Sequence, residues 1–125
     1  MTVPNIPNTG LANKETRKFL ELIAKASDKG KFSIVTTTEA SYDLTPLNYT
    51  VIADATSNAI VINLPLASRA KGRIFVIKKV DASANAVTLT PRTAETIDGS
   101  ATKSTTTQYA TYTIQSDGSN WHLIL

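Results

Sequence analysis

Side chains that commonly perform catalysis are sparse in this sequence. It has a single histidine, His122, and no cysteine, which excludes disulfides, thiolate metal sites and thiol nucleophiles. A typical metal centre needs several imidazole, thiolate or carboxylate ligands, and His122 stands between Trp121 and Leu123 in an apolar run. The sequence therefore predicts that His122 is hydrogen-bonded within the fold or lies at the edge of the core, rather than acting as a metal ligand or general base.

Aspartates are the other candidates for chemistry. Asp54, Asp81, Asp98 and Asp117 all fall at predicted strand ends or turns, where a carboxylate commonly accepts hydrogen bonds from nearby backbone amides. The sequence contains no Gly-x-Ser-x-Gly elbow and no glycine-rich phosphate loop. We predict no enzymatic activity and no cofactor. A carboxylate pair that cleaves polysaccharide stays open as an alternative, because such pairs form in space rather than in sequence.

The distribution of charge divides the chain near residue 31. Residues 1–31 contain six basic and three acidic residues, whereas the remaining 94 residues contain seven of each. Nucleic-acid binding would depend on the basic segment alone, and its interleaved acids are more typical of a solvated or protein-docking face. No apolar stretch approaches the ~20 residues of a membrane span, and no secretion signal is present. We therefore predict synthesis in a cytoplasm, with neither nucleic acid nor a membrane as partner.

The basic segment is predicted to form an extended arm and one short α-helix. Pro4 and Pro7 favour extended geometry in the arm. Asn13 suits a helix N-cap, apolar residues then recur at helical spacing, and Gly30 suits the helix end. We predict that residues 1–31 attach the protein to a partner through apolar side chains. These are Val3, Ile6, Leu11, Phe19, Leu22 and Ile23.

From Phe32 onward the sequence is rich in threonine, which supplies sixteen of 94 residues. Short runs of β-branched and aromatic residues alternate with Gly, Pro, Asn and Asp. This pattern predicts an antiparallel β-sandwich or jelly-roll-like domain over residues 32–125. Its predicted strands are 32–37, 49–53, 59–64, 73–80, 86–90, 95–97, 102–107, 109–115 and 120–125. The Asp98-Gly99 and Asp117-Gly118 pairs predict hairpin turns.

Two strand segments are apolar on both sides. Residues 74–77 and 121–125 lack the clean alternation of Val87 and Leu89 with threonine, so both of their faces need cover. A partner subunit would supply it; alternatively, the helix packs over them, or they are central strands of a sandwich. The predicted subunit contacts are Ile74, Phe75, Val76, Ile77, Trp121, Leu123 and Leu125.

Several motifs in the β region occur in a characteristic order. They are Leu64-Pro65, Lys71-Gly72-Arg73, the run 77–88, Glu95-Thr96-Ile97-Asp98-Gly99, Ser116-Asp117-Gly118 and Asn120-Trp121. Over about residues 49–125 the sequence resembles the β-structured terminal domain of fibre and accessory structural proteins of tailed bacteriophages, including head fibres and tail fibres. The resemblance implies a homotrimer on the virion and supplies no catalytic residues. Residues 1–48 lie outside it.

These observations predict a capsid decoration or head-fibre protein that is made in the host cytoplasm and located in the virion. Residues 1–31 would bind the major capsid protein or another virion component, and residues 32–125 would assemble and be displayed as the trimer. The alternative is a tail-fibre or receptor-binding module that binds host surface glycan through exposed Tyr, Asn and Thr side chains. The candidate tyrosines are Tyr42, Tyr49, Tyr109 and Tyr112.

Overall fold

The computed structural model describes residues 17–18 and 31–125. Arg17 and Lys18 have helical backbone, and the rest of the predicted helix and arm lies outside the described residues. The predicted attachment residues Val3, Ile6, Leu11, Phe19, Leu22 and Ile23 lie outside them as well. The chain divides into two units, Met1–Phe32 and Ser33–Leu125. Within the described part, no helix is long and apolar enough to cross a membrane.

The described residues from 33 to 125 form a unit built of short strands. The strands are β1 Ile34–Thr37, β2 Ser41–Asp43, β3 Thr50–Ala53, β4 Ile60–Asn63, β5 Ile74–Lys79, β6 Val87–Thr90, β7 Lys103–Thr105, β8 Thr111–Ser116 and β9 Trp121–Leu123. A 3₁₀ turn at Ala67–Arg69 lies between β4 and β5.

These strands form two mixed sheets. Sheet A has the order β1-β3-β5-β8-β9, and sheet B has the order β2-β4-β6-β7. Within sheet A, β1, β3 and β5 are parallel, as are β2, β4 and β6 within sheet B. The strands β7, β8 and β9 join their neighbours antiparallel. The first six strands therefore wind through successive coils, and each coil gives one strand to each sheet.

The predicted antiparallel arrangement is wrong for the first six strands. That prediction assumes that consecutive strands pair through hairpins, which is the common pattern for short connections. Here consecutive strands lie in opposite sheets. Each strand instead pairs with the equivalent strand of the next coil, which runs in the same direction. The prediction of a mainly β domain is confirmed.

Two strand assignments also differ from the prediction. Residues 95–97 form no strand. Within this range only Ile97 forms β-bridges, and both of them, to Ser100 and to Trp121, are isolated. Conversely, the sequence does not predict β2, because Ser41 and Asp43 have low strand propensity. Parallel pairing with β4 holds β2 in the sheet, so tertiary contacts override its local preference.

Both Asp-Gly turns are confirmed. Asp98 and Gly99 have φ values of 48° and 79°, as a type I′ turn requires at its two central residues. The backbone groups of Ile97 and Ser100 exchange hydrogen bonds of 2.8 and 2.9 Å across this turn. The second turn joins β8 to β9, with Gly118 at φ 96°.

The hydrophobic core lies between the inner faces of the two sheets. Along β5, residues alternate between buried and half-buried positions, so Phe75 and Ile77 point inward. The Phe75 ring contacts Trp121 of β9, with 5.8 Å between ring centroids. Ile62 and Leu89 of sheet B are fully buried in the same cluster.

This core contradicts part of the predicted subunit interface. Phe75, Ile77 and Trp121 are at most 1% exposed within a single chain, so they cannot contact another subunit. Their inner face is covered by the other sheet, which the apolar runs of the sequence do not reveal.

The remaining predicted contacts have other positions. Ile74 and Val76 are half-buried at the outward positions of β5. Leu123 is half-buried against the core, and Leu125 is 92% exposed. These residues remain available for contact with another subunit.

The core position of Phe75 gives a first prediction. Phe75→Ala removes a large buried ring and leaves a cavity beside Trp121, so we expect the free energy of unfolding to fall by about 3–5 kcal/mol. Urea unfolding measures the change. The control Val61→Ala, on the exposed side of β4, should cost about 1 kcal/mol or less. Equal losses in the two variants would contradict the assignment of Phe75 to the core.

Candidate functional site

The outward side chains of sheet A form a continuous surface, here called outer face A. Strand register aligns them in three rows across the sheet. The rows are Ile34-Thr50-Val76-Thr113, Thr36-Ile52-Lys78-Thr111 and Ile74-Gln115-His122. Ile124 extends the first row, because its amide donates to the Thr113 carbonyl at 2.9 Å.

Aliphatic side chains supply five of the twelve residues of outer face A. Ile52, Ile74 and Val76 are half-buried near its centre, and Ile34 and Ile124 are 67% and 41% exposed. Most of its other members are threonines, whose methyl groups also pack against apolar surfaces. An exposed apolar surface of this kind on a β-sheet indicates an interaction site.

The outward side chains of sheet B form outer face B, which is polar. Register gives the rows Ser41-Val61-Thr88-Ser104 and Asp43-Asn63-Thr90. These side chains bond to one another: the Asn63 amide donates to Ser41 Oγ at 2.9 Å and to Asp43 Oδ1 at 2.8 Å. Outer face B is therefore suited to water, and the two outer faces have opposite character.

A buried ion pair lies at the end of β5. Lys79 Nζ is 2.5 Å from Asp81 Oδ2, and both side chains are almost inaccessible to solvent. Lys79 also donates to the carbonyls of Asp81 and Ser83, so its three donors are satisfied. Asp81 Oδ1 accepts the Ala55 amide at 2.7 Å. The pair therefore joins the β5–β6 connection to the β3–β4 connection.

The environment of Asp81 keeps its carboxylate ionised. Burial raises the pKa of Asp81, but hydrogen bonds from Lys79, from the Ser83 hydroxyl and from the amides of Ala55 and Ser83 outweigh it and hold the pKa far below its usual range. Because its donors come from the end of β5 and from the two connections that it joins, the arrangement is structural.

A second charged group was not predicted from the sequence. His122 Nε2 lies 2.7 Å from Asp117 Oδ2, and Nδ1 lies 3.7 Å from Asp98 Oδ1. The β8–β9 hairpin brings His122 beside Asp117. Hydrogen bonds from the Asn120 amide, from His122 and from the Ser119 amide hold the pKa of Asp117 far below its usual range.

The hydroxyl and the two carboxylates around His122 are each hydrogen-bonded to backbone groups. The nearby Ser116 hydroxyl is buried, donates to the Ala67 carbonyl at 2.7 Å and accepts the Gly118 amide at 3.0 Å, so it is engaged by backbone. The carboxylates of Asp98 and Asp117 approach opposite nitrogens of the His122 ring. In this arrangement the three side chains do not point toward a common centre, so they cannot coordinate one metal ion together. Among the residues that the structure describes, no group of three or more His, Cys, Asp or Glu could hold a metal ion.

The predicted capping of nearby backbone amides is confirmed for two of the aspartates. Asp54 Oδ1 accepts the Thr56 amide at 3.1 Å, and Asp117 Oδ1 accepts the Ser119 amide at 2.7 Å. Asp98 Oδ1 instead accepts the distant Leu123 amide at 3.2 Å. The signal that identifies these residues in the sequence is a position directly before a turn glycine, for Asp98 and Asp117, or directly after a strand, for Asp54.

The tyrosines are spread over the unit rather than gathered at one site. The Tyr112 hydroxyl donates to the Ser104 carbonyl at 2.7 Å, and Tyr42 accepts the Asn48 side-chain amide at 3.1 Å. Tyr109 is 61% exposed, with Lys78 Nζ 5.4 Å from its ring centroid. Of the four candidate tyrosines, Tyr109 is the exposed one, and the other three are half-buried.

A scan against protein-family models and a search of curated proteins found no match to this chain. The surfaces of the protein itself are therefore the basis for its proposed function.

The buried ion pair gives a second prediction. Lys79→Met leaves the Asp81 carboxylate buried without its cation, so we expect a loss of about 3–5 kcal/mol in the free energy of unfolding. The adjacent Lys78→Met is a matched control, because Lys78 points outward, and it should cost about 1 kcal/mol or less. Thermal and urea unfolding both measure these losses. If Lys79→Met cost no more than the control, the ion pair would not hold the two loops.

Acid dependence gives a third prediction. Since the pKa of Asp81 is lower in the folded chain, its stabilisation is complete above the unfolded pKa of about 3.9 and is lost as pH falls below that value. Asp81→Asn cannot titrate there. We expect the free energy of unfolding to fall less steeply between about pH 4 and 2 in Asp81→Asn than in the wild type. Parallel slopes would show that Asp81 does not contribute.

Proposed function

We propose that the protein is a non-enzymatic structural component of a virion, a capsid decoration or head-fibre protein. In this proposal residues 1–31 attach it to the major capsid protein or another virion component, and the β unit forms a homotrimer that is displayed. The observation that carries the proposal is the contrast between the apolar outer face A and the polar outer face B. The resemblance to phage fibre domains supports the virion context.

The trimer would form through outer face A. Ile52, Ile74 and Val76 lie near the centre of this face, where contact with another copy would remove their remaining apolar surface from water. Each Å² of apolar surface so buried contributes about 25 cal/mol. Cyclic homo-oligomers are a common way to cover such a face.

The charges of outer face A are compatible with self-association. The basic side chains in its rows are Lys78, on the central strand β5, and His122, on the edge strand β9. Lys78 lies over Tyr109, and His122 lies between Asp98 and Asp117. Each basic side chain therefore has an aromatic or carboxylate neighbour in its own chain, which reduces like-charge repulsion between identical copies.

Outer face B has the composition expected of a displayed surface. Its Ser, Thr, Asn and Asp side chains form hydrogen bonds across the strands, such as the 2.9 Å contact between Thr88 Oγ1 and Ser104 Oγ. Outer face B would remain exposed to solvent in the assembled trimer, while residues 1–31 would bind to the capsid.

The assembly contact gives a fourth prediction. Val76→Asp places a carboxylate at the centre of outer face A, so we expect the trimer to dissociate into folded monomers. Val61→Asp is the matched control: it makes the same substitution on outer face B, where Val61 is 37% exposed, and it should remain a trimer. Light scattering measures the mass of each variant, and circular dichroism checks that both stay folded.

A strictly monomeric wild-type protein would exclude the trimer. If Val76→Asp unfolds instead of dissociating, Ile124→Asp provides the same test at a 41% exposed position on the edge of outer face A. Trimers of normal mass in both variants would mean that the copies meet elsewhere.

Attachment gives a fifth prediction. A variant without residues 1–31 should lose binding to virions that lack the protein, because those residues carry the excess of basic charge. Its β unit should remain a trimer, with a mass three times that of the shortened chain. Co-sedimentation with virions measures occupancy, and full occupancy by the shortened chain would contradict the assignment of the attachment segment.

A further inference from the structure

One corner of the β unit is built from three connecting loops. The loops 44–49, 64–73 and 91–102 follow β2, β4 and β6. These strands are parallel neighbours, so their carboxyl ends meet at the same edge of sheet B. Loops held side by side on a rigid sheet commonly carry binding sites. We call this region the loop corner.

Two cavities open at the loop corner and share Leu44 and Arg92 as lining residues. One encloses about 440 Å³ and is also lined by Pro46, Pro65 and Arg69. The other encloses about 320 Å³ and is also lined by side chains from the ends of three strands. The two cavities adjoin at these shared residues and are called below the larger and smaller halves of one groove; each has a volume that takes a small ligand.

The larger half presents positive charge. Arg69 and Arg92 line it without an acidic residue, and Arg73 donates to the Pro46 carbonyl at its border. Among the described residues, none of these arginines forms an ion pair with a carboxylate. Residues 32–125 as a whole carry equal numbers of acids and bases, so this local excess of cations is a specific feature of the corner.

The chemistry of the larger half is that of an oxyanion site. A guanidinium group presents a planar fork of donors that matches carboxylate, sulfate or phosphate. The Arg92 Nε–H already donates to the Leu64 carbonyl at 3.3 Å, which fixes the side chain and leaves its terminal nitrogens for a ligand. The two prolines provide rigid walls.

The smaller half presents hydrogen-bonding groups. Asp43, Asn63 and Thr90 are the last residues of β2, β4 and β6 and lie in register. Asn63 donates to Asp43 Oδ1 at 2.8 Å. These acceptors and donors suit hydroxyl groups, whereas the Asp43 carboxylate would repel a second anionic group. The groove therefore favours a ligand with one oxyanion beside several hydroxyls rather than a polyphosphate backbone.

We propose that the loop corner binds an acidic oligosaccharide. The oxyanion of the sugar lies between Arg69 and Arg92, and its hydroxyls bind to Asp43, Asn63 and Thr90. The site is separate from outer face A, and within the described part of the chain no tyrosine lines either half of its groove. It adds a ligand to the proposed structural role and does not depend on the trimer.

The test uses isothermal titration calorimetry of the full chain with three tetrasaccharide probes: a tetragalacturonate, the same sugar carrying sulfate esters, and neutral galactotetraose. We expect binding of an acidic probe and at least about tenfold weaker binding of the neutral one. The two acidic probes distinguish a carboxylate from a sulfate as the preferred oxyanion. Inorganic phosphate serves as a free-anion competitor.

Matched variants locate the site. Arg92→Gln and Arg69→Gln should each weaken binding of the acidic probe at least about tenfold. Lys103→Gln removes the same charge from β7, outside the groove, and should leave the affinity within about twofold. Both arginines lie in exposed loops, so circular dichroism should show an unchanged fold.

Four outcomes would overturn the proposal: equal binding of the neutral probe, no binding of either acidic probe, equal weakening by Lys103→Gln, or tighter binding of an octathymidylate than of the acidic probes. The last would identify nucleic acid as the ligand. Light scattering in the same buffers separates this result from the trimer, because a failure to bind sugar leaves the oligomer mass unchanged.

Discussion

The register between parallel strands determines both the core and the surfaces of this protein. Alternate residues of each strand face the opposite sheet, so register places Val51 beside Ile77 inside and Thr50 beside Val76 outside. A shift by one residue would exchange the two sets. The buried core, the apolar outer face A and the polar outer face B are therefore three consequences of the same pairing.

The coils need more than apolar contact to stay in this register, because each strand is only three to six residues long. Lys79 occupies an inward position at the end of β5, where an ammonium group would be very costly without partners. Asp81 compensates that charge and also accepts the Ala55 amide from the previous connection. A polar interaction therefore specifies how neighbouring coils align, in a place where apolar side chains would allow slippage.

The sequence predicts local structure well and long-range pairing poorly. Runs such as 74–79 identify strands, and the Asp-Gly pairs identify turns, because those preferences belong to adjacent residues. The partner of each strand depends on contacts between coils, which no local pattern encodes. For the same reason, the sequence alone places Phe75 and Trp121 in a subunit contact and does not reveal that Asp98 and Asp117 approach His122.

Outer face A and the loop corner lie in different parts of the β unit, so one small unit could form an oligomer and also bind a ligand. The loop corner lies at the carboxyl ends of β2, β4 and β6 in sheet B, whereas outer face A belongs to sheet A. A trimer formed through outer face A would therefore leave outer face B in solvent and would not need any residue of the groove. In addition, the loops can change in sequence without altering the alternation that maintains the core. An oligomer would also carry several copies of a weak binding site. Because linked copies bind a repetitive polysaccharide at high effective concentration, the overall affinity would exceed that of one site.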